Sequence, residues 1–288
     1  MRVERACSWL GIERGRAAQY SSYIRELYEK EDKRSHNHVL SLNESYEIVE
    51  IYDLWESHVN RFPGIKEKIK RCLEKGPLLR EGENPDSSTN RPRNDAFVFL
   101  LAGKLIRGNM NVIAIDGLLA RGVSCHIDAD ITFEWNGEYI DIQCKRPQNT
   151  NSLEKRVKQA TGQINTTKRP SQKGIIAVDC SALIRPPGRL LERNSAEIAL
   201  QDVADILQES IMPIVGKLFK PHIMLTLLFA RVPAMTIIDE SPILTISGEP
   251  FRTYRPESVS PSLGVINDNF IDPNLVDSIS ERLKSSVV

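Results

Sequence analysis

The strongest constraint in this chain is a single turn. Asn136-Gly137 is a two-residue hairpin signal, because both residues accept the positive φ of a type I′ turn, and it lies between two runs that alternate in polarity, Ser124 to Trp135 and Glu138 to Lys145. In a strand, residues two apart share a face. His126, Asp128, Asp130 and Thr132 therefore point one way, and Ile127, Ala129, Ile131 and Phe133 the other. On the second run Asp141, Gln143 and Lys145 share a face, with Ile140, Ile142 and Cys144 opposite. A tight turn makes the two strands antiparallel neighbours. If their polar faces coincide, Asp130, Gln143 and Lys145 cluster on one side of a small sheet.

The elements around this hairpin define an α/β domain. Pro92 suits the first turn of a helix running to about Arg107 and stopping at Gly108-Asn109. Val112 to Ile115 is a short apolar strand. After the hairpin, a helix from about Ser152 to Ile164 carries Leu153, Val157, Ala160 and Ile164 as its apolar stripe. Gly174 to Val178 is a continuous apolar strand, a helix over 195–218 breaks near Pro213, and a further strand lies near 223–230. The order helix, three strands, helix, strand, helix, strand predicts a mixed sheet with helices packed on it. Beyond Pro233 one more strand pair and a tail ending in a short helix are expected.

The N-terminal part reads as helical. Asn43 is placed to cap a helix starting at Glu44, in which Ile48, Tyr52, Trp55 and Val59 mark one face. Pro63-Gly64 breaks it, and IKEKIKRCLEK forms a second helix ending at Gly76. The aromatics crowded before residue 56 read as the core of a helical domain, with base stacking as the alternative. The expected division is a helical domain over 1–76, a linker over 77–91, an α/β domain over 92–235 and its C-terminal extension over 236–288.

Composition excludes several classes. The 288 residues contain 38 basic and 38 acidic side chains, so the chain is not a non-specific coat for nucleic acid. The longest apolar stretches fall far below the ~20 residues of a bilayer span. The charged start MRVERACSWLGIERGR predicts no secretory signal. Five scattered cysteines at 7, 72, 125, 144 and 180 predict reduced thiols, no zinc site and a cytoplasmic location.

The polar cluster has a chemical use. A hard divalent cation such as Mg²⁺, or Mn²⁺ in its place, takes oxygen ligands. Asp130 offers a carboxylate, Gln143 an amide oxygen and Cys144 a backbone carbonyl. Asp128 shares the face of Asp130, so either could be the ligand. A lysine beside the metal, here Lys145, can act on a water or offset charge developing on a phosphate. These are the parts of a phosphodiesterase.

An acid on a helix, then an Asp, then Gln-x-Lys on the neighbouring strand resembles the PD-(D/E)xK nuclease superfamily. YIDIQCKR, following DADI, is most similar to the Mrr-type restriction endonuclease catalytic domain. The resemblance covers roughly residues 90 to 180. It implies a restriction-endonuclease-like αβββαβ core and a metal-dependent nuclease with a role in restriction or defence. It makes Asp130 the metal-binding aspartate, Gln143 the second ligand position and Lys145 the catalytic lysine. Asp95, in the first turn of its helix, takes the place of the family's helical acid, usually Glu, from which it departs by a shorter reach. Gln143 adds no charge to the metal site.

Eight Lys or Arg fall between Gln143 and Lys173, against one acid, Glu154. Lys155, Gln159 and Gln163 share a helix face, and with Arg146 they are the expected substrate contacts. The substrate is expected to be DNA before RNA, with a homodimer as one way to cut two strands. His126 reads as an incidental strand histidine. The rival readings are a nucleic-acid-binding module without catalysis, and an interaction protein presenting Tyr20, Tyr23 and Tyr28.

Overall fold

A computed structural model of the chain describes residues 2–29, 36–76, 91–124, 128–165, 173–184, 191–218, 220, 222–238, 241–247, 252–254 and 273–285. The N-terminal elements are α1 (Arg2–Leu10), α2 (Arg16–Glu29), α3 (His36–Trp55), α4 (Ile65–Glu74) and α5 (Arg91–Arg107). Then come β1 (Asn111–Ile115), β2 (Leu118–Leu119), β3 (Ile131–Trp135), β4 (Glu138–Lys145), α6 (Thr150–Asn165) and β5 (Gly174–Asp179). The remainder is α7 (Ser181–Ile184), β6 (Leu191–Arg193), α8 (Ala196–Ile206), α9 (Met212–Gly216), β7 (Ile223–Phe229), β8 (Val232–Ile238), β9 (Ser241–Ser247), β10 (Arg252–Tyr254) and α10 (Pro273–Ser285). Among the described residues no helix is long and apolar enough to cross a membrane.

The chain divides into two compact units, Met1–Gly103 with Leu118–Ser124, and Lys104–Gly117 with Cys125–Val288. The boundary thus falls inside α5 rather than in the 77–91 stretch, of which 77–90 lie outside the described residues.

The first unit is helical. Trp55, Tyr20, Tyr52, Phe62, Ile48, Leu54 and Ile69 are buried, so Tyr20, Tyr52 and Trp55 of the early aromatics build a core, while Tyr46 is exposed. Trp55 Nε1 donates to the Phe99 carbonyl at 2.9 Å, which ties α3 to α5. Two arginines are buried with acids: Arg93 pairs with Glu44 and donates to the Tyr20 hydroxyl at 3.2 Å, and Arg16 lies 3.5 Å from Glu47. Tyr20 therefore belongs to the interior and not to an exposed aromatic patch; the Tyr28 side chain lies outside the described residues. α3 begins at His36, and Asn43 is an interior position rather than a cap. Asn costs only a few tenths of a kcal/mol inside a helix, roughly up to 0.7, and α3 runs through it. α4 ends as expected, with Gly76 at φ 94 just beyond the cap residue Lys75.

The second unit is α/β. Six of its strands form a mixed sheet in the order β10-β7-β5-β4-β3-β1. The pairs β1-β3, β3-β4 and β10-β7 are antiparallel, and β4-β5 and β5-β7 are parallel. The turn that joins β3 to β4 has Asn136 at φ 50 and Gly137 at φ 78, the pair of positive angles a type I′ turn needs. α6 makes the crossover from β4 to β5. Its stripe of Leu153, Val157, Ala160 and Ile164 packs with Ile176 and Val178 of β5, Val203 of α8 and Leu228 of β7. Each Leu, Ile or Val side chain of this set, fully buried, contributes roughly 1.5–3 kcal/mol. The helix expected over 195–218 is two helices joined by a π turn at Leu207–Ile211, with Pro213 at the start of α9. Pro is tolerated there because a first-turn N–H has no helical partner. A second sheet, β6-β8-β9, contains the expected strand pair β8-β9 and adds β6.

Candidate functional site

Three strands of the second unit end at one edge of the sheet. The β3-β4 ladder finishes at the pair Ile131–Ile142. Asp130 stands one residue before that pair and Gln143 one residue after it. Asp116 follows the last residue of β1, and its backbone N–H donates to the Asp130 carbonyl at 2.8 Å. Register sets the face as well. Gln143 pairs with Ile176 and Lys145 with Val178, the two β5 residues that pack against α6. The polar side chains of β4 therefore rise on the α6 side of the sheet.

Asp130, Gln143 and Lys145 come together. Lys145 Nζ donates to Gln143 Oε1 at 3.2 Å and lies 3.9 Å from Asp130 Oδ2. The Cys144 backbone N–H donates to Asp130 Oδ2 at 2.7 Å. In an extended strand the N–H and C=O of one residue point to the same side, so the Cys144 carbonyl projects toward Asp130 as well. The Asp130 side chain keeps 32% of its surface open and Lys145 keeps 11%.

The electrostatics follow from this partial burial. Burial pushes the Asp130 carboxyl above its usual value; Asp116 pushes the same way, against Lys145 and the Cys144 N–H. Burial pulls Lys145 below the usual lysine value, with Arg156 of α6 adding to the fall and Asp130 and the Cys144 thiol opposing it. Among the described residues, each of the two charged groups has the other as its close counter-charge.

The remaining expectations divide. Asp128 is exposed and Asp130 faces Lys145, so Asp130 is the carboxylate of the cluster. The alternation from Ser124 overstated the strand: β3 starts only at Ile131, and 125–127, with Cys125 and His126, lie outside the described residues. Asp95 is half-buried on α5 in the first unit, where its charge acts on the Cys72 thiol of α4. Lys155, Gln159 and Gln163 are exposed on α6. Arg146, expected as a substrate contact, is buried instead of open at the surface. Its guanidinium donates through Nε to Asp179 Oδ2 at 2.9 Å, and Asp179 in turn accepts from the Ser181 N–H at 3.0 Å. One residue beside the cluster was missed by sequence reasoning. Asp116 sits in a left-handed conformation at φ 46, and an Asp-Gly pair ending a strand was its one signal.

Among the described residues, no group of three or more His, Cys, Asp or Glu side chains could hold a metal ion. The oxygen groups at the strand ends are instead the Asp130 carboxylate, the Gln143 amide oxygen and the Cys144 carbonyl, with Asp116 near enough for its charge to act on Asp130. No family model, curated protein or solved structure matches the chain.

Proposed function

We propose that the second unit is a metal-dependent nuclease with a PD-(D/E)xK-type, restriction-endonuclease-like core. The observation that carries this reading is the meeting of Asp130, Gln143 and Lys145 at one sheet edge, on the side that α6 covers. The donor chemistry suits Mg²⁺ or Mn²⁺. All the donors are oxygens, Asp130 is an acid that its surroundings leave short of positive charge, and Mg²⁺ takes one or two carboxylates and fills the rest of its shell with water and phosphate oxygen. Asp130, Gln143 and the Cys144 carbonyl would hold it. A divalent ion held by these residues would supply a lowered water pKa and draw charge from phosphate oxygens. Lys145, its pKa drawn down by burial, sits where it can move a proton at the attacking water or offset charge on the phosphodiester. Asp95 stays a proposed fourth member on the resemblance alone.

The substrate is DNA before RNA, cut endonucleolytically, with restriction or defence as the setting and a homodimer as the form that cuts both strands. A second reading is a nucleic-acid-binding module without catalysis, favoured by the lack of a second carboxylate at Gln143. The test offers supercoiled, linear and single-stranded DNA and RNA to the full chain with Mg²⁺, Mn²⁺ or EDTA. The nuclease reading expects DNA to be cut with either metal and to survive in EDTA. Binding without cutting under every metal supports the second reading.

A further inference from the structure

The strand ends beside the cluster are tied together by buried polar groups. The β3-β4 ladder stops at Ile142, so from Gln143 onward β4 is paired on the β5 side. That pairing reaches Lys145–Val178, and Arg146 and Asp179 are the next residue on each chain segment. Arg146 Nε donates to Asp179 Oδ2 at 2.9 Å, with 3% and 4% of the two side chains exposed. The other carboxylate oxygen, Oδ1, accepts from the Ser181 N–H at 3.0 Å and from the Ser181 hydroxyl. Ser181 Oγ accepts in turn from the Arg231 N–H at 2.9 Å, and Arg231 directly precedes β8. The Cys180 N–H donates to the Phe229 carbonyl at 2.7 Å, which joins the ends of β5 and β7. Two buried charges are a costly way to join strands, since an apolar pair of similar volume often stabilises as much or more. What the ion pair adds is direction: a charge-assisted hydrogen bond holds the two strand ends in one arrangement. The residues it holds are those of the cluster. Lys145 immediately precedes Arg146, and the Cys144 N–H, one residue further back, donates to Asp130 Oδ2 at 2.7 Å.

We propose that the Arg146–Asp179 pair positions the reacting cluster, locking the end of β4 so that the Cys144 backbone and the Lys145 ammonium stay at Asp130. Arg146 and Asp179 are positioning residues, which act through the strand. Asp179 is the junction, because one of its oxygens holds β4 and the other holds Ser181. This rests on the nuclease reading for what the cluster does, while the geometry being fixed can be read without metal or DNA.

The measurement is amide exchange of the full chain, followed residue by residue by NMR, with a calorimetric titration of Mn²⁺ beside it. Arg146→Met combined with Asp179→Leu removes both charges at once and so leaves no lone charge inside. Melting curves show that it is folded; if it is not, Asp179→Asn, which keeps an oxygen for Ser181, is read in its place. The Cys144 amide is expected to lose its protection in this variant, while the Ile142 amide, inside the β3-β4 ladder, keeps its own. Mn²⁺ affinity is expected to fall about 10–100-fold, as when a group supporting metal ligands is removed. Arg146→Lys, which keeps a cation against Asp179, is expected to recover most of the protection. Glu138→Gln weakens the exposed 3.2 Å pair with Lys173 at the opposite end of β4, and should change neither Cys144 exchange nor Mn²⁺ affinity. Full Cys144 protection in the folded double variant overturns the proposal, and so does an equal loss in Glu138→Gln. If Cys144 loses protection as expected and the wild type neither binds Mn²⁺ nor cuts DNA, the positioning stands and the nuclease reading fails. If the wild type binds Mn²⁺ and cuts DNA and the double variant does both equally well, this inference fails and the nuclease stands.

Discussion

Asp130 and Lys145 are charged groups held where charge is costly. Burial raises the carboxyl and lowers the ammonium even though they face each other. The signs follow by linkage. An acid whose folded pKa lies above its unfolded value weakens the fold as pH rises through that window, and the penalty is complete above it. A lysine whose folded pKa is lowered carries its full penalty below the folded value. Between the folded pKa of Asp130 and that of Lys145 both penalties are present, so in that window Asp130→Asn and Lys145→Met should melt no lower than the wild type, while losing any metal-dependent cutting. A clear fall in melting temperature in both would show that the pair is structural. Arg146 behaves oppositely. Arg146→Ala takes the guanidinium away from the buried Asp179 carboxylate, and should cost about 3–5 kcal/mol in denaturant titration. The Asp130, Gln143 and Lys145 cluster was legible because strand alternation and a turn of known geometry fix which side chains share a face. Arg146 was not, since its partner Asp179 stands on a strand more than 30 residues away and no local pattern links them. Asp116 was hidden for a related reason: only the β1-β3 register brings it to Asp130.

Two close approaches decide how the elements lie. A Cβ on Gly174, at the start of β5, would stand 2.7 Å from Ile164 Cγ2 and 3.0 Å from the Asp141 carbonyl. α6 packs against the sheet at that point, so Gly174→Ala should push the end of the helix off β5. The expected cost is about 1–3 kcal/mol of overpacking, read as a lowered unfolding midpoint. In the first unit a Cβ on Gly103 would stand 2.8 Å from Leu54 Cβ, and Gly103→Ala should destabilise despite the ~1 kcal/mol that Ala gains over Gly in a helix. A stabilised Gly103→Ala would contradict the packing of α5 on α3. Elements with a strong period, such as α6 and β4, were readable to within two residues, because their apolar faces are buried as the pattern requires. β6 was not: three residues carry no usable period, and the strand is defined by its pairing with β8.

At the scale of the molecule, a helical unit and an α/β unit divide inside α5. The sequence pointed to the linker because Gly, Pro, Asp and Ser crowd 77–91, but compactness is decided by which side chains pack together. Phe99 of α5 receives the Trp55 N–H and so joins the N-terminal helices. The division has a consequence for the proposed site: Asp116, Asp130, Gln143 and Lys145 all belong to one unit, whereas Asp95 belongs to the other. Asp95→Ala should accordingly reduce cutting less than Lys145→Met does, with rates on one plasmid as the check. The most direct measurement is the rate of supercoiled-plasmid cleavage at saturating Mg²⁺ by the wild type, Asp130→Asn, Lys145→Met and Gln143→Glu, all shown to be folded. The account predicts cutting by the wild type, none by the first two variants, and cutting at lower Mg²⁺ by Gln143→Glu, which adds the carboxylate the site lacks. Equal cutting by Lys145→Met and the wild type, or cutting that persists in EDTA, would contradict it.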